Sequence, residues 1–121
     1  MAEPTQIQNE IAREIEANTI LVYGKGTKSA PRCGFTLETI EFFNGLGYPF
    51  EVVDVLENLP KREALSAMTD WPTLPKVFIG GTFYGDTDIL APMAQNGELQ
   101  RLLAAVFGGE QPAPKPTINL R

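Results

Sequence analysis

Apolar positions recur along the chain in two rhythms, and the alternation between them predicts nine elements. Ile7, Ile11 and Ile15 stand four apart with Ala12 beside them, which predicts an amphipathic helix over 5–17. "TILVYG" (19–24) is an unbroken apolar run rich in β-branched and aromatic residues and closed by Gly, the pattern of a buried strand. Beyond a loop at 25–32, Ile40, Phe42, Phe43 and Leu46 fill a broad apolar face, so a helix is expected from Cys33 to Asn44. It ends at "GLGYP" (45–49), where Gly supplies a left-handed cap and Pro cannot continue the helix. "FEVVDV" (50–55) reads as a second strand. Leu65 and Met68, with Ala64 adjacent, predict a short helix over 58–69. "WPTLP" (71–75) has two prolines and is irregular. "KVFIGGTFYG" (76–85) is a hairpin turning at Gly80-Gly81. Ile89, Leu90, Met93 and Ala94 form another helical face, broken at Gly97, and Leu99, Leu102, Leu103, Val106 and Phe107 make a last stripe.

The order α-β-α-β-α-β-β-α-α contains a βαβ unit, which implies two parallel strands joined by a crossover helix. The hairpin adds two antiparallel strands, giving a four-stranded mixed sheet. Helices on both faces make a three-layer α/β/α sandwich the economical arrangement. At 121 residues the chain reads as one domain, residues 1–108, followed by a Gly/Pro-rich polar tail, 109–121, expected to be disordered.

Composition removes several functions. A net charge of −5 argues against general nucleic-acid binding. With no His, a Ser-His-Asp triad, a Cys-His pair and every His-containing metal site are excluded. One Cys allows neither an intrachain disulfide nor a CxxC pair, which fits a reducing compartment. No apolar run approaches the roughly 18 residues of a membrane span. The opening "MAEPTQIQNEIAREIEANT" is acidic and lacks an apolar core, so it is not read as a signal peptide, and a cytoplasmic address is expected.

That single cysteine, Cys33, lies where the 25–32 loop meets a helix. Backbone N–H groups there lack intrahelical partners, and the helix dipole favours an anion such as thiolate. Lys25, Lys28 and Arg32 share the loop and would lower the thiol pKa further. Gly34 leaves space for a ligand, and Thr36 can donate a hydroxyl toward the sulfur. A lone cysteine is more often a buried structural residue. "SAPRCG", however, is polar and Pro/Gly-bearing, which favours a reactive thiol.

On these residues the chain resembles the monothiol glutaredoxins, whose active site normally reads CGFS and here reads CGFT, Cys33-Gly34-Phe35-Thr36. The family's "KG" dipeptide is matched by Lys25-Gly26. Its Arg nine residues before "WPT-x-P" is matched by Arg62 before Trp71-Pro72-Thr73-Leu74-Pro75. The "GG-x-D" element after the hairpin is matched in part by Gly85-Asp86-Thr87-Asp88. The similarity covers roughly residues 5–107.

The resemblance implies a thioredoxin-like fold, glutathione as ligand, and Cys33 as the reactive thiol. It implies Lys25 and Arg62 on the ligand's glycine carboxylate, and a cis peptide at Pro75 that exposes the Leu74 backbone to its cysteinyl part. Thr87 and Asp88 would hold the γ-glutamyl end, unless they serve only as an N-cap. Phe35 would lie exposed beside the thiol, with Trp71 packed near the sheet edge. The resemblance further implies a [2Fe-2S] cluster in a bridged homodimer, with Cys33 as an iron ligand. One Cys and one glutathione from each side would supply the four thiolates. Partners would then be BolA-type and iron–sulfur acceptor proteins. A glutathione-dependent reductase of mixed disulfides and a redox-silent adaptor are the competing readings. Three positions depart from the family: Thr36 carries an extra methyl, Gly24 stands where many relatives have a bulkier residue, and Asp86 replaces a Gly. Asp86 would place negative charge beside the ligand unless it turns to cap the helix.

Overall fold

The alternation that marks the strands also divides the core. In a computed structural model, which describes residues 5–108, β1 (Ile20–Gly24) sends Ile20 and Val22 to one face of the sheet and Leu21 and Tyr23 to the other. β3 (Lys76–Ile79) likewise divides Val77 and Ile79 from Phe78. All seven of these apolar residues are buried, each contributing on the order of 1.5–3 kcal/mol.

The first face is covered by α2 (Gly34–Leu46), α4 (Thr87–Gln95) and α5 (Glu98–Val106), through Ile40, Phe43, Leu90, Leu99 and Leu103. The second is covered by α1 (Gln6–Ala17) and α3 (Leu59–Thr69), through Ile11 and Leu65. The result is the expected α/β/α sandwich. The sheet runs β2-β1-β3-β4, with β2 (Glu51–Asp54) parallel to β1, and β3 antiparallel to both β1 and β4 (Thr82–Gly85).

Local chemistry sets the boundaries. Thr5 and Gln8 form a reciprocal capping box at 3.0 and 2.8 Å, starting α1 at Gln6. Asn58 caps α3 by accepting from the Lys61 N–H, and Pro60 sits in its first turn. α2 begins one residue later than the pattern suggests, with Cys33 as its N-cap, and runs through Gly45 to Leu46 before capping at Gly47. Gly80 and Gly81 both take positive φ, the two-residue turn whose twist matches paired strands. Met68 and Ile89, expected on apolar faces, are largely exposed, at the ends of the stripes that Leu65 and Leu90 anchor. The expected tail at 109–121 lies outside the described residues. No described helix is long and apolar enough to cross a membrane.

One polar cluster joins the second face. Lys61 is buried, pairs with Glu10 at 3.0 Å and Glu14 at 2.6 Å, and Glu14 also accepts from the Tyr23 hydroxyl at 2.6 Å. Burial lowers the Lys61 pKa, but the two carboxylates more than reverse this and leave it raised. Burial, then the bond to Glu14, pushes the Tyr23 phenol well above its ordinary value.

Candidate functional site

β1 and β2 end, β3 begins and β4 ends at the same end of the sheet, because Tyr23 pairs with Lys76, Gly24 with Asp54 and Val77 with Gly85. Each strand therefore delivers its adjoining loop or helix to one place. The Asp54 carboxylate ties two of them, accepting from the Gly26 N–H at 2.8 Å and the Leu56 N–H at 2.9 Å. Between them opens a cavity of about 440 Å³. Lys25, Cys33, Phe35, Arg62, Leu74, Thr87 and Asp88 all line it, so the seven residues that the resemblance assigned to thiol chemistry and ligand binding are brought together.

Cys33 is partly exposed and stands at the N-cap of α2. Its side chain makes no capping hydrogen bond of ordinary geometry, yet its thiolate form is favoured and its pKa lowered. The Thr36 N–H contributes most and burial opposes it; the Phe35 N–H, the Lys25 charge and the Thr36 hydroxyl add to the lowering. The thiol is thus a capping anion in waiting, and the free helix donors do the stabilising. Phe35 is 68% exposed and forms an apolar lip beside it.

The three loop cations do not act together. Lys25 reaches the cavity, but Lys28 donates to the Phe50 carbonyl at 2.6 Å and lies 4.0 Å over the Phe50 ring. Lys28 and Arg32 neither line the cavity nor lower the thiol pKa, which corrects the sequence expectation. Proximity in the chain did not become proximity in space because the loop folds back, pairing Gly26 with Pro31. The second cation comes instead from α3: Arg62, whose guanidinium donates to the Leu56 carbonyl at 3.1 Å.

The Leu74-Pro75 peptide is cis, as the motif implied. Trp71 packs edge-on against Phe83 at 5.7 Å, near the edge strand β4. Beneath this segment lies a residue that sequence reasoning missed. Lys76 is 1% exposed, and its ammonium donates to the Trp71 and Thr73 carbonyls, the latter at 2.8 Å. Period-two alternation could have found it, since residue 76 must share the inward face of Phe78.

At the opposite wall is the N-terminus of α4. Its N-cap is Asp86, which accepts from the Asp88 N–H at 3.0 Å, so neither Thr87 nor Asp88 fills the capping role. Thr87 instead donates its hydroxyl to Glu38 at 3.2 Å. Glu38 lines the cavity and was also missed, although it lies one turn beyond Phe35 on the same face of α2. Among the described residues no group of three or more His, Cys, Asp or Glu could hold a metal ion.

Comparison with known proteins bears on the family and the fold. A family model described as Glutaredoxin matches residues 20–84. An "Uncharacterized monothiol glutaredoxin ycf64-like" of Synechocystis sp. is 43% identical over 89 residues, covering 74% of this chain and 83% of that protein. The solution structure of reduced poplar apo GrxS14 is 31% identical with a TM-score of 0.75, covering 84% of this chain and 94% of that one. The crystal structure of a buckwheat glutaredoxin–glutathione complex shares the fold at a TM-score of 0.75 and 22% identity, over 86% and 97% of the two chains.

Proposed function

The chain belongs to the glutaredoxin family, on its monothiol branch, and from that premise we propose that it is a glutathione-dependent carrier of [2Fe-2S] clusters in the cytoplasm. The observation that carries this reading is the company Cys33 keeps. One activated thiol, two cations and a helix N-terminus line a single cavity whose size suits a small ligand. Glutathione has a glycine carboxylate for Lys25 and Arg62, and a cysteinyl backbone that could pair with the Leu74 backbone. Its γ-glutamyl carboxylate suits the backbone N–H of Thr87 and its ammonium suits the Asp88 carboxylate. Support also comes from the buckwheat relative, solved as a glutathione complex.

With glutathione seated, its thiol and Cys33 are two thiolates, half of what a two-iron, two-sulfide cluster requires. A second copy with its own glutathione supplies the rest, making the cluster a cargo held between two chains. Acceptors would be apo iron–sulfur proteins, with BolA-type proteins as partners.

A second reading rests on the partial exposure of Cys33. An accessible thiolate can attack the glutathione sulfur of a mixed disulfide, releasing the protein thiolate and forming a Cys33–glutathione disulfide. A glutathione thiolate then attacks that disulfide, giving oxidised glutathione and restoring Cys33.

Anaerobic reconstitution with iron, sulfide and glutathione separates the two. The carrier reading expects visible charge-transfer bands in a dimer that forms only with glutathione and is lost in Cys33→Ser. A colourless monomer that still reduces a glutathionylated substrate would replace it with the second reading.

A further inference from the structure

Residues 71–75 join Asp70, the C-cap of α3, to Lys76, the first residue of β3, and Pro72, Thr73, Leu74 and Pro75 among them line the cavity. This wall is not held by its own backbone: among the described residues no backbone–backbone hydrogen bond involves residues 71–74. The Lys76 ammonium holds it instead. The side chain is buried and turns back on the segment that precedes it, donating to the Thr73 carbonyl at 2.8 Å and to the Trp71 carbonyl. An ammonium carries three N–H donors, so it can make both bonds at once. The Thr69 hydroxyl stands 3.5 Å from the Trp71 carbonyl, but it bonds the Leu65 carbonyl at 2.7 Å.

Peptide geometry carries this tie to the cavity. The Thr73 carbonyl and the Leu74 N–H belong to one planar peptide unit, which is trans, so they point in opposite directions. Anchoring the carbonyl on a buried ammonium turns the Leu74 N–H away from that ammonium. Neither the Leu74 N–H nor its carbonyl has a hydrogen-bond partner among the described residues. A fixed donor without a partner, on a residue that lines the cavity, is open to a ligand. We infer that Lys76 is a positioning residue for ligand binding: it holds the Trp71 and Thr73 carbonyls and so fixes the Leu74 N–H for pairing with the backbone of a bound thiol peptide. The inference rests on the proposed reading of the cavity as a glutathione site.

Lys76→Met keeps an unbranched side chain of similar length and removes all three donors. The Trp71 and Thr73 carbonyls then lose their partner, and the peptide plane between Thr73 and Leu74 is free to turn. Lys25, Cys33, Arg62, Thr87 and Asp88, which line the cavity, are untouched. Lys76 forms no salt bridge among the described residues, and a buried charge without an opposing charge is a poor source of stability. What the substitution reads is therefore the geometry at Leu74, through a ligand able to pair with it.

The test is calorimetry of wild type and Lys76→Met with two ligands: reduced glutathione, and glutathione N-methylated at its cysteinyl amide, which blocks backbone pairing there. Wild type should prefer glutathione by roughly fivefold or more, the scale of a backbone hydrogen bond. Lys76→Met should bind glutathione roughly fivefold more weakly, and its preference over the methylated ligand should shrink to within about twofold. A merely structural lysine would change both affinities alike, so an undiminished preference in the variant would overturn the inference. A wild type that binds both ligands equally would overturn it as well. If wild type binds neither, the glutathione reading itself falls and takes the inference with it. If Lys76→Met does not fold, Lys76→Gln decides. Its amide ends one bond short of the lysine nitrogen, so the preference should still fall about twofold, and a wild-type preference would refute the role of Lys76.

Discussion

Replacing Lys76 with Met should flatten part of the protein's stability profile at alkaline pH. The Lys76 side chain is buried, donates to two backbone carbonyls, and forms no salt bridge among the described residues. Burial lowers its pKa from 10.5 to about 8. An unfolded chain would hold this proton up to pH near 10.5, whereas the folded chain releases it near 8. Between those values the unfolded state binds more protons, so stability rises with pH; below them both states are charged and the full cost of burial is present. The depression corresponds to roughly 3 kcal/mol. The two carbonyl acceptors favour the ammonium, which makes that figure an upper bound. Urea unfolding of wild type and Lys76→Met across this range gives the difference directly. Cys33, Tyr23 and Lys61 titrate in both proteins and cancel. Wild type should gain up to about 3 kcal/mol on the variant as pH rises from 7 to 10.5. A flat difference would refute the account of Lys76 as a charge buried at neutral pH.

Other substitutions probe the cavity and its supports. Arg62→Ala should weaken glutathione binding by roughly tenfold or more, as for loss of a charge-assisted hydrogen bond, with an unchanged circular dichroism spectrum; calorimetry showing unaltered affinity would remove Arg62 from the site. Asp86→Asn keeps an acceptor for the Asp88 N–H and removes the charge. Stability should change by less than about 0.5 kcal/mol while glutathione binds about two- to fivefold more tightly, whereas Asp86→Ala should cost about 1 kcal/mol as a lost cap. Lys61→Met should destabilise by about 1–2 kcal/mol in urea, less than the loss for a fully buried pair, because Glu14 keeps 26% of its side-chain surface in water.

The sequence and the structure agree most closely where periodicity carries the information. Ile11, Phe43, Leu65 and Leu103 sit in the core because helical spacing leaves them no other face, and the Gly80-Gly81 turn follows from φ alone. The cavity's lining was legible through motif resemblance, since Lys25, Cys33, Arg62 and Leu74 are distant in the chain and no local pattern joins them. What escaped was long-range. Lys28 looked like a neighbour of the thiol until the loop fold sent it to Phe50. Nothing in the local pattern marks Lys61, and only the packing of α3 on α1 reveals its partners Glu10 and Glu14. Gly24 and Thr36 are related in the same way: a Cβ at Gly24 would lie 2.7 Å from Thr36 Cγ2, a closeness between a strand end and a helix start twelve positions on.

The departure at residue 86 changes how the proposed ligand would be held. Its carboxylate occupies the Asp88 N–H, one of the α4 donors that would otherwise face an incoming carboxylate. The Thr87 hydroxyl is likewise engaged by Glu38. The wall at α4 is therefore acidic, carrying Glu38, Asp86 and Asp88, and part of its donor capacity is used within the protein. Such a wall favours an ammonium over a carboxylate. Lys25 and Arg62, by contrast, form no salt bridge with another described residue, so their charge remains available to a ligand. On the proposed reading, the glycine carboxylate and the thiol region then supply most of the affinity. The γ-glutamyl end is held chiefly through its ammonium, so blocking that amino group should matter more than blocking the carboxylate beside it.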